Sequence, residues 1–175
     1  MGASVDDTVL TAGAKIAAGG TRSHHHTCLA SIAVESPFTH ILVPLDFTPK
    51  NAAAIDIARR LAAQAGARVT LLHVIETIEH ATGKEIDEFY RSLERRAEKE
   101  LREAQRPLTA KSISVTTEIV YGRRGVEIVR YATERGVDLV VMSSHVIDAK
   151  EPQKSWATLS YQVATFCPCP VLLVK

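Results

Sequence analysis

The sequence predicts an α/β fold: a doubly wound, five-stranded parallel sheet in the order 3-2-1-4-5. Three observations lead there. Five short apolar runs alternate with segments of helical period from about residue 37 onward, which calls for parallel strands joined by right-handed helical crossovers. The first run, His40–Leu45, and the fourth, Val137–Met142, lack polar alternation, so both faces of each are buried and they belong in the middle of the sheet. The third, Ile113–Tyr121, alternates and is rich in β-branched residues, which suits an edge.

Each element follows in turn. After the first strand, Thr48 is placed to cap a helix and Pro49 suits its first turn, where a missing N–H costs nothing. Ala54, Ile55, Ala58, Leu61, Ala62 and Ala65 then recur at helical spacing, and Gly66 can take the left-handed conformation of a C-terminus. Arg68–Ile75 is the second strand. A long helix from about Glu85 to Ala104 lines one face with Ile86, Phe89, Tyr90, Leu93, Ala97 and Leu101, and Pro107 is expected to stop it. Its ERRAEKELRE run is a solvated face. The third helix, about Gly125–Arg135, is expected to turn Val126, Val129 and Ala132 inward and end at Gly136. A fourth, about Thr158–Phe166, is expected to bury Leu159, Val163 and Phe166, before a last strand at Val171–Val174.

In this order the sheet reverses between strands one and four, and ligands of such sheets bind beyond the carboxyl ends of the strands at the reversal. The loops there are Leu45-Asp46-Phe47-Thr48 and Ser143-Ser144-His145.

Composition bounds the function. The chain has 175 residues, 46% of them hydrophobic and 23% charged, enough for one domain with a core. A net charge of +1 offers no field for nucleic acid, and no apolar run approaches bilayer length. Residues 1–36 are rich in Ala, Gly, Ser and Thr and show no period; they read as a flexible tail ahead of a domain at 37–175. Asp6 and Asp7 argue against a secretory signal, and Asp6 stands where myristoylation wants Ser or Thr. The three cysteines, Cys28, Cys167 and Cys169, are too few for a disulfide framework and fit a reducing cytoplasm. The Cys-Pro-Cys pair reads as small packing residues, not a redox or metal site. The His24–His26 run is not expected to close a metal site.

From about Phe38 to Lys175, ILVPLDFTPKNAAAIDIARRLA, GRRGVEIVRYATERGVDLVVMSSH and CPCPVLLVK, in that order and spacing, resemble the universal stress protein family. The resemblance implies a three-layer sandwich like the adenine-nucleotide α-hydrolases, a homodimer paired through the last strand, and ATP as the nucleotide to expect. ATP-binding members carry G-x-x-G, about nine residues, then G-(S/T). Here Ser143, Val146 and Ala157 stand where the glycines belong, and only the hydroxyl at Thr158 survives. Glycine lets amides approach a phosphate closely, so ATP affinity is expected to be weak or lost, and no cofactor is expected. Pro44 and Asp46 match the family's first-strand contacts, and Val74 matches its adenine wall. Asp46 serves equally well as a helix cap. His145 suits a phosphate or partner contact, or a solvated loop; His73 reads as a structural histidine. Gly122 and Gly125 in YGRRG read as turn and capping glycines away from the reversal. Trp156, the one tryptophan, lies in the atypical loop.

Three functions compete. The first is a stress-response protein acting by binding, homodimerisation and an unidentified protein partner. The second is an ATP switch in which Lys150, Lys154 and Thr158 hold phosphates and Asp46 the ribose. The third, a nucleotide-hydrolysing enzyme, lacks a catalytic set: no G-x-S-x-G elbow surrounds Ser143 and Ser144, and neither a Walker loop nor G-x-G-x-x-G is present.

Overall fold

A computed structural model describes residues 37–78, 83–144 and 158–175. The chain runs β1 (His40–Pro44), α1 (Asn51–Ala65), β2 (Arg68–Ile75), α2 (Lys84–Thr109), β3 (Val115–Tyr121), α3 (Arg124–Glu134), β4 (Leu139–Ser143), α4 (Leu159–Phe166) and β5 (Val171–Val174). The five strands form one sheet in the order β3-β2-β1-β4-β5, parallel at every pairing. β1 lies in the middle, with Ile41 opposite Val69 on one side and Leu139 on the other.

Period-two alternation sends each central strand to two cores. Ile41, Val43, Val69, Leu71 and Val141 pack with Ala54, Ala58, Leu101 and Leu108 from α1 and α2. Leu42, Leu72, Val140 and Met142 pack with Ile128, Ala132 and Val163 from α3 and α4. The sheet is thus covered on both faces, and the strands read as unbroken apolar runs because neither face meets water. Ala54, Ala58 and Ala62, four residues apart and buried, let α1 lie close on the sheet.

Four local expectations need correction. Thr48 does not cap α1, which begins at Asn51. Its hydroxyl donates to Asp46 Oδ1 at 2.8 Å, and Thr48 and Pro49 instead form a turn whose carbonyls accept from Asn51 and Ala52 at 3.0 and 3.3 Å. Pro107 does not stop α2, which continues to Thr109. A proline φ is helical, one lost hydrogen bond near the end is a small penalty, and fully buried Leu108 pulls the final turn inward. α3 buries Ile128 and Ala132, while Val126 is exposed; its apolar residues span more than one face, and packing chose the arc. Phe166, at the end of α4, is 71% exposed, because α4 buries Ser160 and Val163. Gly66 and Gly136 take the left-handed φ of +66° and +61° expected at helix ends.

At the amino ends of the strands, Asp138 accepts from the Thr39 N–H at 2.8 Å, the Thr39 hydroxyl at 2.7 Å and the His40 N–H at 3.0 Å. Buried His40 pairs through Nε2 with the Thr70 hydroxyl at 2.9 Å, and its Nδ1 lies 2.9 Å from the Arg68 guanidinium and 3.2 Å from the Arg135 carbonyl.

Candidate functional site

A cavity of about 670 Å³ opens at the carboxyl ends of β1 and β4, at the point where strand order reverses. Its size is that of a small-molecule site. Pro44, Leu72, Val74, Ile128 and Met142 give it an apolar wall, and Asp46, Asn51, Arg124, Ser143, Thr158 and Ser160 a polar end.

The polar end is assembled from three segments. Asn51, in the first turn of α1 and 5% exposed, accepts from the Asp46 N–H at 3.1 Å and donates from Nδ2 to Ser143 Oγ at 3.0 Å. One amide therefore joins the β1 loop to the end of β4. Asp46 Oδ1 accepts from the Thr48 N–H at 3.1 Å and its hydroxyl at 2.8 Å. Desolvation works to raise the Asp46 carboxyl, but the Thr48 and Asn51 hydrogen bonds outweigh it and hold the group below the usual carboxylate range. It stays ionised at neutral pH, a fixed acceptor at the cavity mouth.

Hydroxyls crowd the start of α4. Thr158 caps that helix, accepting from the Tyr161 N–H at 3.4 Å. The Ser160 hydroxyl lies 3.3 Å from that of Thr158 and 3.2 Å from that of Ser144. The Ser144 N–H donates to the Val174 carbonyl at 2.7 Å, extending the β4–β5 ladder to the cavity floor.

His73 braces the opposite side. Its Nδ1–H donates to the Leu45 carbonyl at 2.8 Å, and its ring stacks on Phe47 with centroids 4.2 Å apart. Phe47 holds φ at +59°, costly for a residue with a Cβ; the stack over-determines that conformation. Burial first, then the Arg124 charge, keep the imidazole below its ordinary pKa against the pull of the Leu45 carbonyl and Asp46. The ring is neutral at pH 7, which agrees with a structural histidine that also lines the cavity.

Of the expected site residues, Pro44, Asp46, Val74, Ser143 and Thr158 all line the cavity. His145 lies outside the described residues, as do Val146, Lys150, Lys154, Trp156 and Ala157. Asp46 accepts from Thr48 in the turn ahead of α1, a turn contact and not the helix cap expected as the alternative to ligand contact. Gly122 and Gly125 serve turn and packing: Gly122 has φ +143° and donates to the Ile75 carbonyl at 3.1 Å, while a Cβ on Gly125 would come within 2.9 Å of Gln162. The segment was expected to lie away from the reversal, yet Arg124 reaches the cavity and pairs with Glu76 at 2.7 Å. Asn51 and Arg124 were missed. Asn51 stands out only as a lone amide among alanines, and Arg124 was overshadowed by the glycines beside it. Among the described residues no group of three His, Cys, Asp or Glu side chains is placed to hold a metal ion, and no helix is long and apolar enough to cross a membrane.

Residues 37–175 match the family model described as the universal stress protein family. Universal stress protein YxiE of Bacillus subtilis (strain 168) is 29% identical over 148 residues, covering 79% of this chain and 99% of that protein. The solved structure of universal stress protein UspA from Lactobacillus plantarum matches with a TM-score of 0.65 at 24% identity, over 79% of this chain and 98% of that one. A universal stress protein solved in complex with cAMP matches with a TM-score of 0.65 at 21% identity, over 80% of this chain and 99% of its own.

Proposed function

The chain belongs to the universal stress protein family, and from that premise we propose that it acts by binding and by self-association, without turnover. Its cavity takes an adenine nucleotide mainly through base and ribose and grips a triphosphate weakly. The observation that carries this is the mixed lining of the cavity, an apolar wall together with a small set of polar side chains. The apolar wall of Pro44, Leu72 and Val74 suits a flat base, and ionised Asp46 suits a ribose hydroxyl. A similar fold holds cAMP in a solved relative, which supports an adenine nucleotide as the occupant.

The phosphate end is built differently from a glycine cradle. No residue after Gly136 is glycine. Hydroxyls of Ser143, Thr158 and Ser160 and the Arg124 guanidinium stand at that end. Each hydroxyl gives one donor, and Arg124 already pairs with Glu76. A glycine loop instead gathers several amides on one phosphate. The expected ATP affinity is therefore weaker than about micromolar, less than about 8 kcal/mol of binding.

Self-association is proposed along β5. It is an edge strand, and Leu172 on it is 39% exposed; pairing with a second copy would cover both the ladder and the side chain.

Titration calorimetry with ATP and magnesium tests the binding half. A dissociation constant at or below micromolar, weakened by Asp46→Ala, would replace this reading with the ATP switch. Repeated turnover of ATP would replace it with an enzyme.

A further inference from the structure

Cys167 and Cys169 pack against the second core, as small packing residues would, and neither lines the cavity. Their sulfurs lie 3.5 Å apart, both as free, half-buried thiols. They sit at a joint. Cys167 closes α4, its N–H donating to the Val163 carbonyl at 2.9 Å. Cys169 precedes Pro170, whose carbonyl accepts from the Val140 N–H at 3.0 Å and leads into β5.

We propose that Cys167 and Cys169 are a reversible dithiol–disulfide pair, oxidised by a hydroperoxide and reduced by a second dithiol, set at the joint between α4 and β5. Two thiols already in contact need only close to the bond length of about 2.05 Å. A ring closed through a single intervening residue is strained, and strained disulfides are the readily reversible kind. Partial exposure admits a small oxidant.

The two sulfurs take different parts. Burial, then the hydrogen bond to Cys167, push the Cys169 thiol up to about 12. In the proposed sequence Cys167 makes the first attack and Cys169 resolves. The Cys167 sulfur gives up its proton and attacks the distal oxygen of the hydroperoxide, the O–O bond breaks, and the alkoxide leaves to take that proton as the alcohol. Cys167 is then a sulfenic acid. The Cys169 sulfur attacks the Cys167 sulfur, the S–O bond breaks, and hydroxide leaves as water with the Cys169 proton. Two electrons have passed from the sulfur pair to the peroxide oxygens. Reduction by a dithiol reverses the bond through a mixed disulfide. The bond tightens the last turn of α4 against the first rung of β5, at the base of the sheet's edge strand.

The test uses the full chain carrying Cys28→Ser, treated with tert-butyl hydroperoxide, alkylated and digested with trypsin. Both cysteines fall in one peptide, residues 155–175. The expected result is that peptide short of two hydrogens and unalkylated, restored to two alkylated thiols by dithiothreitol. In Cys169→Ser, dimedone should trap a sulfenic acid at Cys167; in Cys167→Ser, Cys169 should remain alkylatable. The proposal is overturned if both thiols stay alkylatable after peroxide, if oxidation runs to sulfonic acid without an internal bond, or if the only disulfides join two chains.

Discussion

Asn51→Ala removes a side chain that spans the reversal point. It deletes the bond from the Asp46 N–H at 3.1 Å and the bond to Ser143 Oγ at 3.0 Å. A net hydrogen bond contributes about 0.5–1.5 kcal/mol. Both orphaned partners can reach solvent, since Asp46 is exposed and Ser143 faces the cavity, so no full desolvation penalty is added. Alanine's better helix propensity returns about 0.5 kcal/mol. The expected net loss is about 1–2 kcal/mol. For a chain of this size each kcal/mol lowers Tm by about 2–4 °C. Urea denaturation gives the free energy and calorimetry the Tm. A cycle with Ser143→Ala isolates the cross-loop bond, for which about 0.5–1.5 kcal/mol of coupling is expected. Additive single and double variants, or an Asn51→Ala chain as stable as the parent, would refute the view that this amide holds the two loops together.

Three further outcomes are expected. Acidification should destabilise the fold from about pH 6.5 downward. Burial first, then the Arg68 charge, hold His40 below its ordinary value against the Arg135 carbonyl and Asp138, and His73 is lowered likewise. The unfolded chain then takes up protons the native one refuses, so stability falls as pH drops below the unfolded pKa and levels off below the folded one. Each histidine contributes at most about 1.4 kcal/mol per pH unit. Asp46 and Asp138, both lowered, add stability above their unfolded pKa that disappears only as pH falls further, through their folded values. Denaturation midpoints across pH should show His40→Gln with a shallower slope; an unchanged slope counts against this. Gly122→Ala should cost about 1–3 kcal/mol, because φ is +143° and the new Cβ would lie 2.6 Å from Glu127 Oε1, a carboxylate paired with Arg130; an unchanged melting curve contradicts it. Leu172→Lys on the exposed edge should shift the light-scattering mass of the purified chain from dimer to monomer, and a parent that is monomeric at micromolar concentration removes the proposed interface.

The sheet was legible because burial on both faces leaves a plain mark. His40–Leu45 and Val137–Met142 have no polar face, so their central position follows from composition alone, and the strand order follows from that. Helix faces were less legible where apolar residues exceed the buried arc. Val126 and Ile128 compete on α3, and only packing against β2 and α4 selects Ile128. Thr48 looked like a cap because capping is a local signal; Asp46, two residues back, captured its hydroxyl. The cavity's location followed from topology, and its backbone-near residues from the family pattern. The polar cross-links did not. Asn51 and Ser143 are far apart in sequence, and nothing in either neighbourhood records that the two loops meet. Arg124 is similar: its reach to the cavity depends on how α3 lies beside α4, which the close approach at Gly125 sets.

Calorimetric titration of adenosine, AMP and ATP with magnesium into one preparation tests the central claim, that base and ribose contacts outweigh phosphate contacts here. The account predicts affinities within about tenfold of one another, a spread of about 1.4 kcal/mol. ATP binding at micromolar strength or better, with adenosine at least about a hundredfold weaker, would contradict it.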